Sequence, residues 1–476
     1  MSRVRTIFKN MSWLLISQII ASIFGFIWTI LIARYLGVND YGILGFAISI
    51  TGILGLIDDI GISSHIVRYI STDYDSAPKY LGNALPLKIF FSIFKILLTI
   101  IILIVMGINE FTLTITLLFS IEMIFKSYIN IINGTFQAFE KIKYHGIGNT
   151  LLNTNTFLFI LISIYTDLGI IGISMSYVLA NFITLVYVYY ILNKHIVKPK
   201  FEIDIEFCKK ITLLSIPFAV TGILYSIYYS IDVIMLTNIV GDYATGIYNA
   251  TYKLISVLTL FYSVYTSVIF PVMSKFFKND ESMLLISLEK SIKYLMLIIV
   301  PIAVATVIYS TDIIHLIYGH EYDAASSVLS ILIWTVCLLF ISGACNTLLN
   351  ASHKEVAVTK IYAIAAIFNI VLNFFMIPHL SYNGAAITTV LSDILILIIQ
   401  CYIIYKLGHR PNKQLYYDLV KIITGSAVLG IVLYFLNINM WVAMPVGIII
   451  YFTTVYLLKV FDDDDKYVIK EIIGKN

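Results

Sequence analysis

Asp232 and Lys253 stand in stretches that are otherwise almost wholly apolar, nine residues before and twelve residues after Gly241. If two helices join at that glycine, a rise of about 1.5 Å per residue puts both side chains roughly 14–18 Å from the turn, at a depth where they can meet. Opposite charges so placed have two uses: they line a polar cavity, contacting an anionic group or gating its passage, or they form an ion pair that ties the helices together. Asp58 and Asp59 make a second acidic set, with His65 and Arg68 following. Neighbours on a helix project about 100° apart, so one of these carboxylates is expected to face a cavity, and with no cation beside it could carry a coupling proton. Arg68 has two readings, a contact to phosphate or an interfacial arginine that snorkels. Glu122 and Lys126 are four apart on one helix face, and with Lys95 on the neighbouring stretch they read as a structural triad. Asp393 is either a coupling site or an aspartate satisfied by Thr388, Thr389 and Ser392.

Tyrosine is abundant, at 34 residues, and Tyr225, Tyr228, Tyr229, Tyr248, Tyr252, Tyr262 and Tyr265 fall in the two stretches that carry Asp232 and Lys253. Several lie too deep to be interfacial anchors, which points to a polar, aromatic-lined cavity. The sequence holds no nucleophile–base constellation, P-loop or metal motif, so neither an enzyme nor a built-in ATPase is expected, and no cofactor. Cys208, Cys337, Cys345 and Cys401 show no metal-ligand spacing and read as thiols of the core or the basic side.

The elements that must position these residues are membrane helices. Hydrophobic residues make up 59% of the 476, charged residues 12%, and the mean hydropathy is +0.92, whereas soluble domains are about 25% charged. Fourteen spans are predicted near 11–36, 42–69, 84–107, 112–134, 145–166, 169–192, 211–239, 244–270, 291–317, 324–350, 357–378, 383–405, 416–436 and 440–458. Leaving aside Lys95, Lys126 and Lys253 inside spans, Arg34 is the one basic residue of 31 that falls in the alternate set of gaps. Short basic loops stay on the cytoplasmic side, so a plasma membrane location with both termini inside is expected. The N-terminal apolar stretch, at roughly 25 residues, exceeds the 7–15 of a signal-peptide core and should remain as the first span. The net charge of +3 implies no nucleic acid partner, and the acidic run Asp462 to Asp465 reads as a solvated tail.

The chain also repeats itself. Gly37-Val38-Asn39-Asp40-Tyr41-Gly42-Ile43 matches Gly241-Asp242-Tyr243-Ala244-Thr245-Gly246-Ile247 at an offset of 204, and the segment from Gly172 to Asn181 matches that from Gly384 to Asp393 at 212. Six spans per copy in one orientation make a parallel repeat. The expected architecture is all-α and polytopic: an N-lobe at 1–192, a basic linker at 193–210, a C-lobe at 211–406, and two further helices with a tail at 407–476. The lobes would surround a central cavity and work by alternating access.

Five segments resemble a known family. Asp232-Val233-Ile234-Met235-Leu236, Gly246-Ile247-Tyr248-Asn249-Ala250 and Tyr252-Lys253-Leu254 are similar to the span 7–8 region of O-antigen-type polysaccharide flippases of the multidrug/oligosaccharidyl-lipid/polysaccharide superfamily. Ala33-Arg34-Tyr35-Leu36-Gly37 and Asp59-Ile60-Gly61-Ile62 resemble its first hairpin. The resemblance implies export of a polyprenyl- or dolichyl-(di)phosphate-linked sugar, with membrane lipids around it and H+ or Na+ as a possible coupling ion. It also implies a cavity lined by spans 1, 2, 7 and 8. The candidate cavity residues are then Arg34, Asp58, Asp59, Arg68, Asp232, Tyr248, Asn249, Tyr252 and Lys253, and the candidate coupling residues Asp58 and Asp393. A peptidoglycan-precursor flippase shares the fourteen spans, whereas a multidrug or small-cation exporter typically has twelve and a cavity without basic counter-charges. A sugar polymerase or ligase would need a long outer loop, which these gaps do not provide.

Overall fold

Without water to satisfy backbone N–H and C=O groups, an apolar run of this length has one economical conformation, the helix, and the chain adopts it throughout. The computed structural model describes residues 2–279 and 281–461, and among them fifteen α-helices and no strand. The expected acidic run and the lysines after it lie outside the described residues. Eleven helices are long and apolar enough to cross a bilayer. Two of them hold two crossings each. Helix α1 (Ser2–Asp59) is broken at Gly37, and α13 (Glu355–Lys406) at Ser381, three residues past Pro378. At about 1.5 Å per residue each is more than twice the roughly 30 Å of hydrocarbon. Helices α8 (Asp242–Ser256) and α9 (Thr259–Asn279) stand in the place of the eighth predicted span, and α8, at 15 residues, is too short to cross by itself. Among the described residues the fourteen predicted spans are therefore all present.

Short turns separate the helices, and asparagine or aspartate supplies several of the stop-and-start signals. The side chains of Asn109, Asp204, Asn412 and Asn439 accept from backbone N–H groups at the starts of α4 (Glu110–Ala138), α7 (Ile205–Ile239), α14 (Lys413–Leu436) and α15 (Met440–Leu457). One boundary differs from the expectation. The second span ends at Asp59, and the left-handed residues Ile60 and Gly61 lead into a separate amphipathic helix, α2 (Ile62–Ile70), which buries Ile62, His65, Ile66 and Ile70 and leaves Arg68 exposed.

Packing divides the chain into two compact units, Met1–Ala250 and Thr251–Asn476. In the first, α1 packs against α3 (Ala77–Val105), α4, α5 (Ile142–Tyr165) and α7, while α6 (Gly169–Ile191) joins α4 and α5. Its cores are aliphatic, one around Ile62, Leu81 and Phe136, the other around Phe46, Ile50, Leu54 and Leu103. The segment after α6 is strapped down: Lys200 N–H donates to the Pro78 carbonyl at 3.0 Å, Asp204 N–H to Asn83 Oδ1 at 2.8 Å, and Lys79 pairs with Asp204 at 3.1 Å. In the second unit, α10 (Glu281–Ile308), α12 (Ala325–Ala351) and α13 pack in series, with α9 on α12, α14 on α10 and α15 on α14.

Candidate functional site

The repeated hairpins meet each other inside the first unit. Gly37 and Gly241, which are repeat mates, both have positive φ, 70° and 114°, and each ends one crossing and starts the next. Five residues on, each copy carries a glycine pressed on the other copy's backbone. A Cβ at Gly42 would overlap the Asp242 carbonyl, and a Cβ at Gly246 the Val38 carbonyl. Val38 and Asp242 are also repeat mates, so the contact is reciprocal, as a two-fold axis requires. Gly45 and its mate Asn249 face each other across that axis, with no room for a side chain on Gly45. Burial, and then the negative charge of Asp40, push the Asp242 carboxyl above its ordinary value.

Below this crossing the interior turns polar. The Tyr248 hydroxyl donates to Asp232 Oδ2 at 2.8 Å, and both side chains are buried. Tyr225, Tyr228 and Tyr229 form an aromatic cluster on α7, with centroids 4.5 and 5.2 Å apart. Along α8, Tyr248 and Tyr252, like Asn249 and Lys253, are four apart and share a face, with Tyr252 and Lys253 partly buried. The crossing breaks at Val257 and Leu258, one turn past Lys253. There Ser256 and Thr259 hydroxyls take up the Lys253 and Ser256 carbonyls. Arg34 is exposed three residues before Gly37, at the end of the first crossing that this glycine closes. Its neighbour Tyr35 donates to Asp167 at 2.7 Å and accepts from Gly169 N–H at 2.8 Å.

Asp58 and Asp59 differ from the expectation of a carboxylate with no cation. Lys95 Nζ lies 2.5 Å from Asp58 Oδ2 and also donates to the Ser120 carbonyl, with neither charged side chain exposed. Lys88 Nζ lies 2.8 Å from Asp59 Oδ1 and donates to the Ser127 carbonyl and hydroxyl. The two lysines are seven apart on α3, two turns on one face, and the two aspartates point about 100° apart, so each finds its own partner. In the expected triad of Lys95 with Glu122 and Lys126, Lys95 also pairs with Asp58 and Glu122 accepts from Asn181 at 2.9 Å, while the charges of Lys126 and Lys95 act on Glu122. Near Asp393, the Thr389 and Ser392 hydroxyls donate to the Ala385 and Thr388 carbonyls of their own helix.

Sequence reading missed the amides. In the second unit Gln400 donates to Asn346 at 2.9 Å, Asn346 donates to Tyr362 at 3.0 Å, and Asn373 donates to Asn369 at 2.9 Å. Uncharged amides in apolar spans were the available signal. It also missed a buried ion pair, Lys293 with Asp418 at 2.9 Å, both nearly inaccessible, which fastens α14 to α10. Next to it an apolar groove of about 480 Å³ runs along α10, α14 and α15, lined by Leu297, Pro301, Ala305, Leu433, Met444 and Gly447.

The family model described as "Polysaccharide biosynthesis protein" matches residues 7–277, more than half of the chain. The chain belongs to that family. A second model, "Lipid II flippase MurJ", matches residues 231–452. Among curated relatives, a capsular polysaccharide biosynthesis protein, CapF, of Staphylococcus aureus is 25% identical, covering 84% of this chain and 99% of that one. A probable low-salt glycan biosynthesis flippase, Agl15, of Haloferax volcanii is 23% identical over 79% of this chain and 80% of that one. The fold is shared with a lipid II flippase MurJ in an inward closed conformation, at a TM-score of 0.79 and 16% identity over 93% of this chain and 98% of that one. An inward-facing multidrug resistance transporter of the MATE family matches at 0.66 and 14% identity, over 84% and 99%. Family and fold together make this polysaccharide biosynthesis family member a multi-pass membrane protein with the fold of those two structures. Asp232, Tyr248, Asn249 and Lys253 lie in the part of the chain that both family models match.

Proposed function

We propose that the chain is a flippase for a lipid-linked oligosaccharide or polysaccharide repeat unit, moving the sugar from the inner to the outer leaflet by alternating access of two six-span lobes, 1–192 and 211–406. The observation that carries this reading is the polar eighth crossing. A membrane helix that presents Tyr248, Asn249, Tyr252 and Lys253 and then breaks belongs against protein or an aqueous cavity, not lipid. Lys253 supplies the positive charge a diphosphate needs, tyrosine rings suit sugar faces, and the apolar groove of the second unit suits a polyprenyl or dolichyl tail. The work is binding and conformational change, without catalysis. The basic loops face the cytoplasm of a plasma membrane, as do both termini, and Asp393 is the candidate for H+ or Na+ coupling. The family model named for a lipid II flippase supports a lipid-linked cargo over a drug cation.

Transport by protein reconstituted in vesicles tests this reading. Flipping of a polyprenyl-diphosphate oligosaccharide should fall in Lys253→Gln and recover in Lys253→Arg, because glutamine keeps hydrogen bonding but not charge. Export of cationic dyes with no effect on lipid-linked sugar, and an unimpaired Lys253→Gln, would replace the flippase with a multidrug exporter. Orientation is tested separately, in a background lacking the four native cysteines. Cysteine at Lys198 should resist an impermeant thiol reagent added to intact cells, and cysteine at Asn109 or Asn383 should react.

A further inference from the structure

We propose that His315, His320 and Asp323 form a binding site for one divalent transition-metal ion of the zinc type, on the turn that joins α11 (Ser310–Ile317) to α12. In sequence the three residues are unremarked, because a spacing of five and three fits no helix face. The turn brings them together. Gly319, with φ 89°, lets the chain reverse after α11, and its N–H is taken by the Ile314 and His315 carbonyls. A single 3-10 turn over His320–Tyr322 then delivers Asp323 back beside His315.

The donor atoms are already gathered. His315 Nε2 is within hydrogen-bonding distance of Asp323 Oδ1, His320 Nδ1 is 3.8 Å from the same oxygen, and one nitrogen or oxygen from each residue lies within 4.8 Å of the others. The two imidazole centroids are 4.1 Å apart. Zinc–nitrogen bonds of about 2.0–2.1 Å in a tetrahedron need donors roughly 3.3 Å apart, so closing the site asks for a small inward rotation of the exposed His320 ring and for the exposed Asp323 carboxylate to back away from hydrogen-bond contact with His315. Two imidazoles and a carboxylate suit Zn2+, Cu2+ or Ni2+, and are a poor match for Mg2+ or Ca2+, which prefer an all-oxygen shell.

The platform under the donors is rigid. Tyr318 and Tyr322 flank the site in sequence, are almost completely buried, and pack ring on ring at 5.2 Å, so the turn is pinned from below while its metal-binding groups face outward. Preorganisation of this kind lowers the cost of capturing an ion. A bound ion would link the end of α11 to the start of α12 and so brace the turn between the ninth and tenth crossings.

Binding of Zn2+ to full-length protein in nanodiscs, purified without a polyhistidine tag and stripped with EDTA, tests the site. Isothermal titration should show a saturable equivalent of Zn2+ that His320→Ala and Asp323→Ala each weaken by at least about tenfold, the loss that removing even an outer-shell partner brings. His379→Ala should leave it unchanged. Co2+ should bind at the same site with the visible absorption of a tetrahedral ion. His320 is 83% exposed, so its alanine variant should elute and melt, without metal, as the parent does. Equal Zn2+ binding by parent and His320→Ala, or no saturable binding by the parent, would overturn the assignment and leave a His315–Asp323 hydrogen bond as the whole content of the cluster.

Discussion

Lys88 and Lys293 are buried lysines one register apart in the two copies of the repeat, since their numbers differ by 205 and the hairpins by 204, and they do different things. In the first copy the lysine is neutralised from within, by Asp59 at the end of the second crossing, one step from the Lys95–Asp58 pair. In the second copy the places of Asp58 and Asp59 hold Tyr262, whose hydroxyl donates to the Gly343 carbonyl, and Ser263, and Lys293 pairs with Asp418 on α14. A buried ammonium must find a carboxylate, but it does not matter to the electrostatics which helix supplies it. With no acid at those two places, the second copy's lysine fastens α14 to α10.

The largest effect should come from breaking the first copy's pairs. Lys95→Met or Asp58→Ala leaves one charge buried without its partner and should cost about 3–5 kcal/mol, read as a lower melting temperature in detergent. The double variant Lys95→Met with Asp58→Leu should recover most of it. Lys293→Met should cost a comparable or smaller amount, because the pair lies next to the groove and water can reach it on local opening. Its distinguishing mark is hydrogen exchange concentrated in α14 and α15. Exchange spread evenly over the second unit would deny the fastening role.

The reciprocal hairpin crossing sharpens the comparison, since there the copies are used alike. Gly42→Ala and Gly246→Ala should each destabilise by about 1–3 kcal/mol, the cost of overpacking, although alanine favours helices. Gly52→Ala, where a Cβ meets no neighbour within 4 Å, should be neutral or stabilising by up to about 1 kcal/mol. Equal effects at all three positions would mean that the backbones do not approach as described. Tyr262→Phe should cost less, about 0.5–1.5 kcal/mol for one hydrogen bond.

The smallest effect is on pH. The Asp242 carboxyl is raised by burial and by Asp40, so the packed hairpins favour its protonated form. The favourable contribution is complete below the ordinary value of 3.8 and is lost as pH rises through the raised one. The melting temperature of the parent in detergent, taken relative to Asp242→Asn so that other titrating groups cancel, should therefore be higher near pH 4 than at pH 7. A difference that rises with pH would contradict the sign.

Sequence alone determined the number and order of the crossings, the 204-residue repeat and the family, because a bilayer imposes a length on each helix and charge fixes which gaps lie together. It also picked out Tyr248, Asn249 and Asp232 as buried polar residues of one hairpin. Only the tertiary structure decided partners. Asp232 meets Tyr248; Asp58 and Asp59 are not lone acids; and Lys293 belongs with Asp418, 125 positions away by their residue numbers. Depth can be counted along a helix, but the azimuth at which a side chain leaves it, and the helix it then faces, depend on packing between segments distant in the chain. Periodicity along the sequence carries no record of that choice.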